Sequence, residues 1–289
     1  MTEAFGKANN SNSPVPLLPA DLADICALIY ARSGMVFGES KRYYLERRIF
    51  DLLRDNEAAS VRDYIAMLHS DRAKVERLIN SFTVNETYFY REEHQLACLV
   101  GSILPDIIKA KGPGDYIRIW SMPCSTGEEP YSIAIWLLEN WPLVDAYHVE
   151  IIGSDIDTAA LEDAAEGIFS QRSLSRLPEK LLQRYFEPEI DLQRRIIKDL
   201  RESVTFRKAN IIDNASMAAL GAFDVIFCRN LLIYFDDPAR SIAVSNLHDF
   251  LLPGGYICLG HTESMTRISE MFETVRFPDA IVYRRSREA

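Results

Sequence analysis

Three acids and a few polar residues stand at the ends of apolar runs, where a ligand could be held. Glu128 and Glu129 follow the small-residue turn Ser125-Thr126-Gly127 and open a helical stretch. Acids at a helix N-terminus occupy the position an anion would take, so this turn disfavours phosphate and suits a ligand with a cationic end. The turn has one glycine and is not the G-x-G-x-x-G dinucleotide fingerprint. An acid pair also simply suits a helix's first turn, and spacing alone leaves both readings open. Asp155 closes the run Ile151-Ile152-Gly153-Ser154. A carboxylate at such a tip can accept from both hydroxyls of a ribose. Asp157 directly precedes Thr158 and better suits a helix N-cap. Arg229 and Asn230 follow Phe227-Cys228, with Tyr234 shortly after; in an apolar run a tyrosine is more often a core aromatic. The stretch Val84–His94 holds Asn85, Thr87 and Arg91, which also suits a plain hinge. His94 and His261 have no partner at metal-ligand spacing, and no G-x-S-x-G elbow is present. No metal site is expected.

These residues need a scaffold. Apolar positions recur at helical spacing from Asp21 to about Thr83, with Asp21 as a candidate cap and Gly34 as a stop. Helices are expected there over Ser40–Asp55, Val61–Leu68 and Arg72–Phe82, and a further one over Glu92–Lys111. Strands are expected at Tyr116–Trp120, Val149–Ser154, Phe223–Cys228, Tyr256–Gly260 and Ala280–Arg284. The helices between them fall at Glu129–Asn140, Thr158–Glu166 and Pro238–Leu252. Strands alternating with helices predict an α/β fold, a doubly wound, mostly parallel sheet. The stretch 167–206 is too long for a plain connection and reads as an insertion. The expected domains are a lead-in over 1–20, a helical domain over 21–84 and an α/β domain over 85–289.

Bulk properties narrow the class. The net charge of −10 argues against general nucleic-acid binding. Five scattered cysteines with no C-x-x-C pair read as reduced thiols, which points to the cytoplasm. The polar first residues lack a signal-peptide core, and no apolar run could span a bilayer.

Four motifs in register then carry a resemblance. Asn85-x-Thr87-x-x-x-Arg91, Ser-Thr-Gly-Glu-Glu-Pro-Tyr-Ser at 125–132, Ser-Asp-Ile-Asp-Thr at 154–158 and Phe-Cys-Arg-Asn-Leu-Leu-Ile-Tyr-Phe at 227–235 together resemble the CheR family of chemotaxis receptor methyltransferases. The resemblance runs from about Asp21 to the C-terminus and departs at Pro123 and Cys124, where small residues are usual. It implies a class I methyltransferase sheet, an N-terminal helical docking domain and an inserted β-subdomain. The implied cofactor is S-adenosylmethionine, leaving as S-adenosylhomocysteine. Asn85, Thr87 and Arg91 would approach it from the linker, and Glu129 and Asp155 would bind its amino-acid end and ribose. Asn210 and Ile211 would flank the adenine, Arg229 and Asn230 would complete the pocket, and Arg91 and Tyr234 would stand beside the methyl. The implied reaction is glutamate methyl-ester formation on the cytoplasmic signalling domain of chemotaxis receptors, by a monomer.

The chemistry fits what is missing. A glutamate carboxyl has a pKa of about 4.3 and is already ionised near neutral pH, so methylating it needs no general base. In the second helix Lys41 and Arg48 are seven apart, as are Arg47 and Arg54. Such charges are usually a solvated face, here balanced by Glu46, Asp51 and Asp55; the resemblance favours docking on an acidic coiled coil. A non-catalytic cofactor-binding module and a small-molecule methyltransferase are the competing readings. Arg91 and Tyr234 argue against the first, and the basic helix argues against the second. Finally, 186–195 contains no glycine to supply a positive-φ turn, and Pro188 lacks a backbone donor. Dependence on a receptor C-terminal pentapeptide is therefore not expected.

Overall fold

The computed structural model describes residues 17–287. Most of the expected lead-in over 1–20 lies outside them. Four helices come first: α1 (Pro19–Ser33), α2 (Arg42–Asp55), α3 (Val61–Ser70) and α4 (Arg72–Phe82). Asp21 is not the cap of α1; Leu18 holds that position, Pro19 opens the helix and Asp21 sits in its first turn. Gly34 ends α1 at φ 72, its N–H donating to Tyr30 O at 2.8 Å. That left-handed backbone is open to glycine without steric cost. Ser60 and Asp71 cap α3 and α4 through Asp63 N, Ala73 N and Lys74 N.

The α/β domain opens with α5 (Glu93–Cys98), a π-helical turn and α6 (Leu104–Ile107), which run on without a break as the expected single helix. Next come β1 (Tyr116–Ser121), α7 (Glu128–Asn140), β2 (His148–Asp155) and α8 (Thr158–Glu166). The insertion holds β3 (Ile168–Ser170), α9 (Gln171–Leu174), α10 (Glu179–Tyr185), β4 (Gln193–Arg195) and α11 (Lys198–Ser203). The chain continues through β5 (Val204–Lys208), α12 (Asn214–Met217), β6 (Phe223–Cys228), α13 (Asp237–Asp249), β7 (Leu251–Leu259), β8 (Phe272–Arg276) and β9 (Ile281–Arg285). β5 and β8 had no clear sequence signature, and Val204 already belongs to the main sheet, so the insertion ends before 206. β7 starts at Leu251, in residues expected to finish the helix before it.

The seven-stranded sheet has the order β5-β2-β1-β6-β7-β9-β8. β1, β2, β5, β6 and β7 are parallel, and β9 and β8 add antiparallel at one edge. Both faces are buried. Ile117, Ile119, Val225, Phe227, Tyr256 and Cys258 face a core shared with α5–α7 and the insertion. Trp120, Ile152, Ile226 and Ile257 face a core shared with α13 and all four N-terminal helices. Period-two burial on two faces explains why these strands read as continuous apolar runs. The helical domain is thus packed onto the sheet. Met35 bridges to Phe235, and Val36 N donates to Tyr234 O at 2.9 Å.

The insertion carries less β structure than expected. β3 and β4 are three residues each, and Phe186 and Ile190 bridge to Ile196 and Gln193. The hairpin turn overturns one premise: Asp191 and Leu192 adopt φ 50 and 62 without any glycine. Closure of the hairpin, through Glu187 N to Arg195 O and the mutual Ile190–Gln193 bonds, holds these two residues in the left-handed region. Among the described residues no helix is long and apolar enough to cross a membrane.

Candidate functional site

From β1 the chain winds outward through β2 to β5, then returns to β6 on the other side of β1. The loops leaving β1, β2 and β6 therefore part at their C-terminal ends, where open α/β sheets bind ligands. A pocket lies there, lined by Asn85, Asp155, Asn210, Ile211, Asn230 and Tyr234 among others. Six sequence-expected residues, from four separate segments, meet in it.

Asp155 is buried at the tip of β2. Its Oδ2 accepts from Ser125 N at 2.8 Å and its Oδ1 from Asp157 N at 3.0 Å, tying the turn after β1 to the turn after β2. Burial raises its pKa to about 6, and the amides partly offset that rise. Asp157 is the cap of α8, as expected, accepting from Ala159 N and Ala160 N. Its second oxygen also accepts from Thr83 Oγ1 at 2.6 Å and Asn85 Nδ2 at 2.7 Å. One carboxylate thus caps a helix and pins the linker at the pocket mouth.

Gly127, at φ 95, starts α7, and a Cβ there would lie 2.9 Å from the Ala164 side chain. The two acids that follow are consecutive in α7 and so project about 100° apart. Glu128 turns away from the pocket and accepts from Ser173 Oγ at 2.6 Å and Thr126 Oγ1 at 2.7 Å. Glu129 lies beneath it, accepting from Ser121 Oγ at 2.7 Å, with Arg229 Nε 2.6 Å from its other oxygen. Burial pushes the Glu129 carboxyl up, and the Arg229 guanidinium pulls it back. Arg229 Nη1 donates to the Arg91 carbonyl at 2.8 Å, so the buried pair also anchors the linker.

The other expected residues lie close by. Thr87 lines the adjoining cleft. Arg91 donates to Glu86 O at 2.8 Å, and its charge acts on both Tyr234 and Glu129. The Tyr234 ring is half-buried beneath Lys41 Nζ, 5.1 Å from its centroid, and burial raises the pKa of its hydroxyl. Asn210 Nδ2 donates to Arg32 O, and Asn246 Nδ2 donates to Ile211 O, each at 2.7 Å. The four candidate docking cations divide. Lys41, just before α2, and Arg48 border the site, and Arg47 is exposed and makes no ion pair among the described residues. Arg54 departs from the expectation: it is held by Asp51 at 3.1 Å and Asp55 at 3.2 Å, so its charge is balanced locally.

The residue reading missed Glu263. Its carboxylate accepts from the N–H groups of Asn230, Leu231, Leu232 and Gly260, between 2.7 and 3.1 Å. Burial raises its pKa, and these four amides hold it down. It holds Asn230 in its left-handed conformation, φ 57, at the pocket wall. A Cβ at Gly260 would come within 2.8 Å of Glu263 Oε2, so the site needs glycine. An acid three residues past a strand-end glycine was the available signal. Glu263→Ala strands four amides, so urea unfolding should show a loss of about 3 kcal/mol, with Glu263→Gln losing less.

The residues fit S-adenosylmethionine. A buried carboxylate awaits two hydroxyls, Ile156 and Ile211 supply apolar walls for a base, and Glu129 offers negative charge near the linker. Comparison with known proteins agrees. Residues 85–281 match the family described as CheR methyltransferase, SAM binding domain, and residues 20–83 match CheR methyltransferase, all-alpha domain. Chemotaxis protein methyltransferase 2 of Vibrio cholerae is 48% identical over 256 residues, covering 88% of this chain and 88% of that protein. The chemotaxis protein methyltransferase of Klebsiella aerogenes is 38% identical, covering 89% and 88%. Chemotaxis protein methyltransferase 1 of Pseudomonas aeruginosa is 32% identical, covering 87% and 92%.

Proposed function

This chain belongs to the CheR methyltransferase family, and from that premise we propose that it forms methyl esters on glutamate side chains of chemotaxis receptor signalling domains. S-adenosylmethionine supplies an electrophilic methyl group on a sulfonium. The observation that carries this reading is the convergence of Asp155, Asn210, Asn230 and Tyr234 on one strand-end pocket that opens beside Arg91 and Lys41. Asp155 and Asn85 hold the ribose side, and Asn210 and Ile211 hold the base. Glu129, backed by Arg229, takes the amino-acid end, while Thr87 and Asn230 close the linker and strand sides. Arg91 and Tyr234 orient the incoming carboxylate. No side chain has to remove a proton, because a carboxylate arrives ionised. Rate then depends on alignment. Incubating the protein with methyl-labelled cofactor and a receptor signalling domain should yield base-labile methyl ester on that domain. Label that survives base would defeat the ester assignment.

Docking falls to α2. Reversing Arg47 and Arg48 to Glu should raise KM for receptor about tenfold at low salt, and added salt should raise KM for the native protein. Arg54→Glu should do less, because Arg54 lies in the last turn of α2 and, unlike Arg48, does not line the cleft beside the pocket. Equal effects at all three positions would refute this division of α2.

The protein acts as a monomer and does not need a receptor tail. Glu187 and Ile190 turn their N–H groups inward to Arg195 and Gln193, and Pro188 between them has no N–H to offer an added strand. Calorimetry against receptor tail pentapeptides should show no specific heat; a micromolar complex would overturn this.

A further inference from the structure

A second opening adjoins the cofactor pocket, sharing Thr83 and Asn85 with it. It is a cleft of about 800 Å³ between α2, the linker and the insertion. Three guanidiniums border it: Arg48 from α2, and Arg172 and Arg176 from the start of the insertion. In a chain with net charge −10 this local gathering of cations runs against the average. The two acids in the cleft are already engaged. Glu128 is buried with both oxygens hydrogen-bonded, and Glu86 Oε1 lies 3.0 Å from Arg172 Nη2. That last pair is exposed, with side-chain accessibilities of 86% and 69%. An exposed pair holds weakly, so an incoming carboxylate can displace Glu86 from Arg172. Arg176 is exposed and stacks over the Tyr88 ring at 4.8 Å, which fixes its guanidinium at the cleft wall.

We infer that Arg172 and Arg176 form, with Arg48, a substrate-reading rim that grips acidic residues flanking the target carboxylate on a helical polypeptide. This deepens the proposed function and rests on it for the substrate class. It adds a role for the insertion in reading the substrate, separate from any tail. The cleft and the cofactor pocket share Thr83 and Asn85 as a common wall, so a segment held on this rim lies next to the pocket. The rim acts by charge, and its contribution falls with ionic strength.

The test uses the full chain with S-adenosylhomocysteine and two fluorescein-labelled alanine-based helical peptides, one carrying several glutamates and the other glutamine at the same positions. Fluorescence anisotropy should show tighter binding of the glutamate peptide. The double variant Arg172→Ala/Arg176→Ala should lose about tenfold of that affinity at low salt, from two contacts of moderate strength. Its S-adenosylhomocysteine affinity, read by calorimetry, should not change. Arg176→Lys keeps the charge and should retain most of the peptide binding. Arg276→Ala, on the far edge strand, should bind as the native chain does. The inference is overturned by equal binding of both peptides, by an unaffected double variant, or by an equal loss of product affinity. An Arg176→Lys loss as large as the alanine loss would also overturn it, since stacking rather than charge would then be at work. Because no turnover is measured, a missing methyl ester in the labelling experiment would refute the proposed reaction and leave this binding result standing.

Discussion

Arg91→Ala should lower kcat by about a hundredfold, the scale set by misplacing a reactant at an alignment-dependent centre. Tyr234→Phe should lower it by about tenfold, the worth of one positioning hydrogen bond. Neither change should move the melting temperature by more than a few degrees. Arg91 donates through Nη1 to a single backbone carbonyl, Glu86 O, and its guanidinium stacks loosely on Tyr88 at 5.7 Å. Tyr234 is half-buried, and its backbone carries the Val36 contact, which Phe preserves. KM for the cofactor should rise less than kcat falls in Tyr234→Phe, because the proposed work of the hydroxyl is to orient the incoming carboxylate. A variant with native turnover would remove its residue from the reacting centre. A collapse in melting temperature would show that its contribution is structural.

The second large effect concerns Asp155. Asp155→Ala removes the acceptor for the ribose and also frees Ser125 N and Asp157 N, loosening both turns at once. Calorimetry should show S-adenosylhomocysteine affinity falling roughly a hundredfold, or about 3 kcal/mol. The same residue sets a pH dependence. With the pKa raised to about 6 in the free protein, acid protonates the carboxyl before ligand binds. Two ribose hydroxyls favour the ionised form, so affinity should weaken as pH falls through about 6, by at most tenfold per unit. The sign for the fold is opposite. The folded state keeps a proton that the unfolded chain releases near pH ~3.9, so this group's stabilisation is fully present below that value. It is lost as pH rises through about 6. Free protein should therefore gain stability from Asp155 in mild acid while losing cofactor affinity. An affinity independent of pH between 5 and 7, or a native-like Asp155→Ala, would exclude Asp155 from the ribose role.

The two effects also separate the competing readings. A non-catalytic binding module predicts that Arg91→Ala changes nothing measurable once Asp155 still holds the ligand. A methyltransferase predicts intact binding with lost turnover. Running both variants in the same preparation distinguishes them.

Much of this was legible in the residues because the signals are local. The strands at 116–121, 148–155 and 223–228 carry buried apolar stretches, Ile119-Trp120, Ile151-Ile152 and Val225-Ile226-Phe227, that stand out among their neighbours. Asp157 could be read as a cap because capping acts over two or three residues. Asp155, Arg229 and Asn230 sit at strand ends, which is where such sheets place ligands, and Glu129 lies in the first turn of the helix that follows one. Four motifs in register then carried the family, and Asn85, Asp155, Asn230 and Tyr234 from three of them line one pocket.

Tertiary structure alone decided the partners. Glu263 offers only a weak local signal, an acid three residues past a strand-end glycine, and parallel packing of β6 beside β7 is what brings it under Asn230. Two adjacent acids with the same local signal part company because consecutive helical residues project about 100° apart and packing gives each direction its own partner: Glu128 serves the insertion and Glu129 meets Arg229. β5 and β8 escaped notice because each lies at a sheet edge, where half-exposed residues show neither alternation nor an apolar run. The turn at Asp191–Leu192 was misjudged for the same kind of reason. Local propensity disfavours left-handed leucine, and the hairpin's own hydrogen bonds overrule it. Helical spacing likewise gave Lys41, Arg47, Arg48 and Arg54 equal standing. Packing assigned them different neighbours: Tyr234 for Lys41, the open cleft for Arg48, solvent for Arg47 and two aspartates for Arg54. Periodicity along one helix reports which side chains share a face, whereas their charge environment depends on segments distant in sequence that only the folded chain brings beside them.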